Sequence, residues 1–169
     1  MTILPIKTAA DLAEVRMLFV EYLAESKCDL SFQNFEDEIA DLPGEYEGPF
    51  GRLLLARGTD GTAGCVAFRK LSAGICEMKR MYVRPAFRRQ GIGKLLVTEL
   101  LRDARHAGYE TVRLDTLTSM AAALSLYQSF GFRKIPAYYA NPLPRVVYLE
   151  LTLERLTSAA PESQRDSAI

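Results

Sequence analysis

The stretch RRQGIGKLL, residues 88–96, places two arginines, two glycines and a lysine at the start of an apolar helical pattern. Glycine lacks a Cβ, so its backbone N–H group can approach a ligand closely. The first turn of a helix also offers unpaired N–H donors and about half a positive charge. These features together predict an anion-binding loop, with a phosphate as the expected anion.

Two familiar phosphate motifs do not match this loop. A Walker A motif requires Ser or Thr after its lysine, but Leu95 follows Lys94, and Arg88 stands where its first glycine belongs. A dinucleotide fingerprint requires a third glycine where Leu96 stands. A plain helix start with solvated basic side chains is the structural alternative at this point.

The composition limits the classes of protein that the chain can represent. Its 169 residues, 49% of them hydrophobic, suit one globular domain, which we place at 1–156. With 21 basic and 21 acidic residues, neither nucleic acid nor a membrane surface is an expected partner. Nothing in the sequence predicts a membrane span or a signal peptide.

The potential metal ligands and nucleophiles are few. Cys28, Cys65 and Cys76 are odd in number and lack CxxC spacing, so they predict reduced cytosolic thiols rather than a disulfide framework or a zinc site. His106 is the only histidine, and it falls on the polar face of a predicted helix. We therefore expect a cytoplasmic protein without a metal site or a histidine-based triad.

Periodicity divides the chain into strands and helices. Strands are predicted at 3–6, 52–58, 63–70, 75–83, 111–117, 132–135 and 145–153. Helices are predicted after a capping box at Thr8–Asp11, over 31–41, over 91–107, and from a Ser119 cap through Phe130. This order predicts an α+β fold with a mixed sheet and helices on both faces, while the polar stretch 157–169 predicts a disordered tail.

Three motifs, taken together, carry a resemblance. The pattern Arg88-x-x-Gly91-x-Gly93 follows EMKRMYV (77–83) and precedes ALSLYQSFGF (123–132). In this order they resemble the acetyl-CoA loop, the fourth strand and the A-x-x-L-Y-x-x-x-G-F helix of the GNAT superfamily of N-acetyltransferases. The resemblance covers roughly residues 75 to 132. It implies a mostly antiparallel sheet of about seven strands with a V-shaped splay after strand 4.

The resemblance also implies a cosubstrate and the residues that bind it. In this family the backbone of the fourth strand pairs with the pantetheine arm of acetyl-CoA, and the matching positions are Met81, Tyr82 and Val83. The pyrophosphate is expected at the loop. Its expected contacts are Arg88, Arg89, Gln90, Gly91, Ile92, Gly93 and Lys94. Where many relatives carry a cofactor-binding Asn, this chain has Met120.

Tyr127 matches the family position of the proton donor to the departing thiolate. A phenol with a pKa near 10 carries its proton at neutral pH, so it can serve as a general acid. Spacing alone favours a different interpretation, since Ala123, Leu126, Tyr127 and Phe130 form one helical stripe. Tyr127 is thus either the acid or a core residue.

Glu77 is the candidate general base, because some relatives carry a catalytic glutamate four residues before the pantetheine segment. The alternative is an ordinary exposed strand carboxylate paired with Lys79, two residues along on the same face. For the acetyl oxygen, a backbone N–H near Met81 or Tyr82 is the expected donor.

The acceptor side falls in two segments. The acidic stretch 32–48 either attracts a cationic amine or is a solvated helix face. The segment 135–145 holds Tyr138, Tyr139 and Asn141 between prolines, and the two tyrosines either line a pocket or pack at a homodimer contact. The resemblance implies an acyltransferase that moves an acetyl group from acetyl-CoA to the primary amine of a small molecule. The alternatives are an acetyltransferase acting on protein or peptide amines, and a CoA-binding sensor without turnover.

Overall fold

The computed structural model describes residues 1–26 and 31–154, so the predicted tail and Cys28 lie outside the described residues. The helices are α1 Ala9–Ser26, α2 Phe35–Asp41, α3 Ile92–His106 and α4 Ala121–Ser129. The strands are β1 Thr2–Pro5, β2 Arg52–Gly58, β3 Gly61–Ser72, β4 Ile75–Val83, β5 Thr111–Leu117, β6 Arg133–Ile135 and β7 Val146–Thr152.

The strands form one seven-stranded sheet in the order β1-β2-β3-β4-β5-β7-β6. All neighbours are antiparallel except β4 and β5, which run parallel. The mixed, mostly antiparallel sheet and the meander through β2, β3 and β4 are therefore confirmed. A parallel pair needs a crossover, which α3 supplies between β4 and β5.

Helices cover both faces of the sheet, as expected. On one face α3 buries an apolar stripe that includes Leu96, Val97 and Leu100 against β2, β3 and β4. On the other face α1 buries Val15, Leu18 and Phe19. Full burial of an aliphatic or aromatic side chain contributes roughly 1.5–3 kcal/mol, so these two cores fix the sheet between its helices.

The capping box predicted before α1 is present. The Asp11 amide donates to Thr8 Oγ1 over 3.1 Å, and the Thr8 amide donates to Asp11 Oδ2 over 2.9 Å. Asp11 also pairs with Arg57 of β2 at 2.9 Å. The cap thus satisfies helix donors and ties the start of α1 to the sheet.

Two predicted helix starts are wrong by a few residues. Ser31–Gln33 forms a turn of 3-10 helix, and α2 begins only at Phe35 because Asn34 adopts a left-handed φ of 52°. Ser119 does not cap α4. The Met120 amide instead donates to the Leu117 carbonyl over 3.0 Å, so a turn delays the helix to Ala121.

Candidate active site at the strand fork

The site lies where β4 and β5 separate. Their parallel pairing extends only from Ile75–Thr111 to Glu77–Arg113, although both strands continue beyond it. The edge of β4 that faces β5 therefore makes no strand pairing with β5 over residues 78–83. A cavity of about 890 Å³ fills this fork. The splay expected from the family resemblance is thus present, and it leaves backbone groups available to an extended ligand.

A bulge in β4 shapes the fork. The register with β3 shifts between Cys65–Tyr82 and Ala67–Lys79, and Arg80 within the bulge has a φ of 56°. The guanidinium of Arg80 donates to Glu38 over 2.8 and 2.6 Å and to Gln33 over 2.9 Å. The buried Arg80 side chain therefore fixes the bulge to α2 and the turn before it.

The predicted coenzyme-binding residues line one end of the cavity. Those that line it are Met81, Tyr82, Val83, Arg88, Arg89, Gly91, Ile92, Gly93 and Lys94. Gln90 is not among the lining residues, and its side chain donates to the Ala86 carbonyl over 3.3 Å. The cavity thus joins the edge of β4 that is not paired with β5 to the glycine loop without interruption.

The loop presents unpaired amides at the start of α3. Gly91 precedes the helix with a φ of 76°, a conformation that favours glycine, and no side chain caps the helix. The first helical hydrogen bond runs from the Leu95 amide to the Gly91 carbonyl. Across the described residues, the amides of residues 90–94 have no hydrogen-bond acceptor. This is the donor arrangement that an anion requires.

Arg88 lies at the rim of this loop and is already paired. Its Nε donates to the Val83 carbonyl over 2.8 Å, and its Nη2 lies 2.5 Å from Glu25 of α1. The Tyr82 hydroxyl donates to the same carboxylate over 3.1 Å. An anion at the loop would therefore compete with Glu25 for the Arg88 guanidinium.

Gly93 lets three elements pack closely beside the loop. A Cβ at this position would lie 3.2 Å from a methyl carbon of Leu126 in α4 and 3.2 Å from the methyl carbon of Met81 in β4. Such contacts are tighter than ordinary van der Waals distances. The glycine therefore serves the contact between α3, α4 and β4 as well as the loop itself.

Tyr127 belongs to both the core and the cavity. Its side chain is 5% exposed and its ring centroid lies 5.9 Å from that of Phe132, yet it lines the cavity. No described group hydrogen-bonds to its hydroxyl. Burial raises the pKa of Tyr127 above its ordinary value near 10, with smaller effects from Tyr22 and Asp115. The phenol therefore keeps its proton at neutral pH, and its raised pKa makes it a weaker acid than a free phenol.

Glu77 lies beneath the fork and not on the cavity wall. It is 2% exposed, so it is not the exposed strand carboxylate of the alternative interpretation. Arg69 Nε donates to its Oε2 over 3.1 Å and the Tyr138 hydroxyl donates to its Oε1 over 2.8 Å. Lys79 Nζ lies 3.9 Å from Oε2. Its assignment as the general base stays a prediction.

The opposite end of the cavity, called the acceptor end below, contains residues to which the sequence analysis assigned no role in the site. Lys79 of β4 and Asp115 of β5 line it, together with Gln33 and Leu143. Oδ2 of Asp115 accepts hydrogen bonds from Tyr139 over 2.9 Å and Asn141 over 3.1 Å. The alternation of β5 was the available signal, since it predicts Arg113 and Asp115 on one face.

The acidic stretch 32–48 is partly neutralised. Burial alone would raise the pKa of Glu38, but the hydrogen bonds and charge of Arg80 outweigh it and hold this pKa below 4.5. Glu45 pairs with Arg69. Glu36, Asp37 and Glu47 remain exposed to solvent. Glu38 and Glu45 therefore stabilise the structure, while the exposed carboxylates face solvent.

The separation of β4 and β5 beside a glycine loop with unpaired amides is typical of a class of protein that binds an extended, phosphate-bearing carrier. The comparisons agree with this class. Residues 12–132 match the model of the acetyltransferase (GNAT) family. An uncharacterised N-acetyltransferase of Schizosaccharomyces pombe is 45% identical over 89% of this chain and 93% of its own.

Solved structures show the same fold. One is a Klebsiella pneumoniae protein described as an acyl-CoA N-acyltransferase, with a TM-score of 0.72 and 29% identity over 90% of this chain and 97% of its own. Another is an acetyltransferase of Salmonella typhimurium solved with acetyl-CoA, with a TM-score of 0.64 and 21% identity over 96% of this chain and 98% of its own.

The chain belongs to the acetyltransferase (GNAT) family. It is an acyltransferase, and acetyl-CoA is the cosubstrate that family membership supports. Among the described helices, none combines the length and apolar character that crossing a membrane requires.

Proposed function

We propose that this protein transfers an acetyl group from acetyl-CoA to the primary amine of a small molecule. One observation supports the coenzyme half of the proposal above all others. The cavity runs from the unpaired amides of residues 91–94 along the edge of β4 that is not paired with β5 to Tyr127. The diphosphate of the coenzyme would lie at the loop amides, its pantetheine arm along β4, and its thioester near Tyr127.

The residues present fit such a ligand. The amides of the loop and the Arg88, Arg89 and Lys94 side chains would hold the pyrophosphate, and the backbone of 81–83 would pair with the amides of the arm. Ala121 to Ala123 and Leu126 give α4 a cavity face of small and apolar side chains beside the arm. Met120 stands where relatives have Asn, so this polar contact is absent from the proposed set.

The chemistry requires proton transfers at two points. The acceptor nitrogen forms a bond to the acetyl carbonyl carbon, the carbon–sulfur bond breaks, and one proton passes overall from the amine to the sulfur. We assign to Tyr127 the role of general acid that gives a proton to the departing sulfur. Reference pKa values of about 10 for a phenol and 8.5 for a thiol make that transfer unfavourable by about 2 kcal/mol, and the raised pKa of Tyr127 adds to this cost. The hydroxyl must therefore lie within hydrogen-bond reach of the sulfur.

The amine side needs a base when the acceptor is an alkyl amine. With a pKa near 10.4, only about 0.04% of such an amine is uncharged at pH 7, a cost of about 4.6 kcal/mol. Glu77 is the proposed base. Because its oxygens are occupied by Arg69 and Tyr138, it would act through the Tyr138 hydroxyl or through water. A terminal α-amine near 7.8 costs only about 1.1 kcal/mol and could react without it.

The acceptor end favours a small molecule over a protein chain. Gln33 Nε2 donates to the Tyr139 hydroxyl over 3.3 Å, which links the turn before α2 to the segment between β6 and β7. Leu143 from that segment also lines the cavity. A bridge at this end would leave less room for a protein chain than for a small molecule. The alternatives are a protein or peptide acetyltransferase and a CoA-binding sensor. The assay described next distinguishes each of them from the proposed function.

The test is a thiol-release assay with acetyl-CoA and a panel of amines, with acetylated products identified by mass spectrometry. We expect turnover of at least one small primary amine and slower turnover of N-terminal and lysine peptides. Binding of CoA without turnover of any amine would instead support the sensor. If calorimetry detected no binding of CoA to the wild-type protein, the proposal would be wrong.

We also propose a cytoplasmic location, with which the two buried thiols described are compatible. Cys65 and Cys76 are free and buried, and burial raises the pKa of each to about 12. Native Cys65 and Cys76 should therefore not interfere with a thiol-release assay. A homodimer is the proposed assembly to check by sedimentation.

A further inference from the structure

Lys79 is a buried cation whose ammonium group is not hydrogen-bonded. The residue is 8% exposed and lines the cavity. Within the described chain its Nζ makes one ion pair, at 3.9 Å from Glu77 Oε2, and donates no hydrogen bond. Burial lowers the pKa of Lys79, and the charge of Glu77 opposes that shift.

Glu77 does not require Lys79 as its main partner. Arg69 already donates to Glu77 from Nε and lies 3.1 Å away through Nη2, and Tyr138 donates to the other oxygen. A buried ammonium group is costly unless it is paired and hydrogen-bonded. The three donors of Lys79 are thus available to an anionic group that enters the cavity.

Asp115 faces the same end of the cavity from the other strand. Tyr139 and Asn141 both donate to its Oδ2, and no described group donates to its Oδ1. The Asn141 side-chain amide also donates a hydrogen bond to the Tyr139 hydroxyl over 2.9 Å, and the Tyr139 ring packs edge-on against Tyr148. The carboxylate is therefore oriented by its neighbours, with one oxygen left for a cationic group.

The two charges are neighbours without being partners. The last β4–β5 pair, Glu77–Arg113, places Lys79 and Asp115 at equivalent positions two residues further along, on one face of the diverging strands. They form no ion pair with each other. Burial lowers the pKa of Lys79, and the charge of Asp115 is among the smaller effects that oppose this shift. The two charged residues thus line one cavity, as a small ligand with both charges requires.

We propose that the acceptor is a zwitterion that carries a carboxylate next to its amine, as an amino acid does. Lys79 binds the carboxylate and Asp115 binds the ammonium group before the proton is lost. This inference rests on the proposed function, because it names the substrate class of the same site. It makes Lys79 and Asp115 specificity-determining residues.

The first test needs no variant. An amino acid, its carboxamide and the amine with hydrogen in place of the carboxylate are compared as acceptors at saturating acetyl-CoA. We expect kcat/KM for the best amino acid to exceed that for its carboxamide by about 10-fold to 100-fold, the range for a hydrogen bond between charged groups. Equal values for a whole set of such triplets would overturn the inference while leaving the acetyltransferase proposal intact.

The second test uses variants of the two residues. Lys79→Met should remove the preference by raising KM for the amino acid, with little change for the carboxamide, and Lys79→Arg should restore part of it. Lys70→Met is the matched control, since Lys70 is exposed on β3. Asp115→Asn should lower kcat/KM for every amine, against Asp60→Asn in the exposed turn between β2 and β3.

The outcomes separate the two proposals. If Lys79→Met lowers kcat for all three acceptors equally while CoA binding is unchanged, Lys79 serves the reaction and not the carboxylate, and the inference is wrong. If the variant fails to fold, as judged by loss of CoA binding, the comparison of acceptors decides alone. Failure of the wild-type protein to acetylate any amine would remove both proposals together.

Discussion

The Tyr138 hydroxyl lies 2.8 Å from Oε1 of Glu77 and connects the segment between β6 and β7 to the middle of β4. The guanidinium of Arg113 also lies 5.5 Å from the centroid of the Tyr138 ring. One buried carboxylate thereby fixes the segment that closes the acceptor end. This gives Glu77 a structural task in addition to the role of base proposed for it.

The variant Glu77→Gln distinguishes the proposed role of general base from the structural role of fixing the segment between β6 and β7. As a general base, Glu77 would contribute about 10²–10⁴-fold. We expect kcat to fall within this range at neutral pH and to recover as the pH approaches the pKa of the amine, because the free amine then needs no base. The measurement is a pH–rate profile with CoA binding as the control. A fall in kcat that is the same at every pH, with a lower melting temperature, would leave Glu77 only the task of positioning.

Tyr127→Phe tests the general acid. The phenyl ring keeps the contact with Phe132 and removes only the hydroxyl that faces the cavity, so CoA affinity should stay within about twofold. We expect kcat to fall by about 100-fold or more. Tyr109→Phe is the matched control, because the Tyr109 hydroxyl donates to the Phe50 carbonyl over 2.7 Å outside the cavity. Equal kcat values for the two variants would place Tyr127 in the core alone.

The fold was largely predictable because local patterns and packing agree. The apolar stripe of 91–107, the alternation of 111–117 and the Thr8–Asp11 capping box each predict an element that the structure contains. The errors fall where backbone conformation decided the outcome. Asn34 takes a left-handed conformation, and the turn before Met120 displaces the start of α4. Neither has a distinctive hydrophobic pattern.

The coenzyme end of the site was predictable, and the acceptor end was not. The loop and the edge of β4 that is not paired with β5 are continuous in sequence, so motifs reveal them. Lys79 and Asp115 line one cavity only because β4 and β5 separate beyond the Glu77–Arg113 pair. Arg80 is held by α2 through contacts more than forty residues away in the chain. Such juxtapositions depend on sheet register and a bulge, which sequence spacing does not specify.

The pair formed by Arg88 and Glu25 predicts opposite effects on coenzyme binding. Arg88→Gln removes a cation beside the pyrophosphate and should raise the Kd for CoA by about threefold to tenfold, a charge-assisted hydrogen bond discounted for its exposure. Glu25→Gln removes the competing carboxylate and should lower the Kd. Both effects should shrink at high salt, because both groups are partly exposed. Calorimetric titrations at two salt concentrations check this, and an increase in Kd for Glu25→Gln would contradict it.

Glu38→Gln should destabilise the fold in a pH-dependent way. Arg80 is 3% exposed, so loss of its carboxylate leaves a buried cation unpaired, which costs about 3 kcal/mol or more. Because the pKa of Glu38 is lower in the folded state than its ordinary 4.5, this contribution is present above pH 4.5 and is lost as the pH falls through the folded pKa. The difference in unfolding free energy between wild type and variant should therefore be constant near neutrality and shrink in acid. Urea unfolding at several pH values measures it, with Glu36→Gln on the exposed side of α2 as the control. A difference that stays unchanged into acid would show that the Glu38 charge does not hold Arg80 at the bulge.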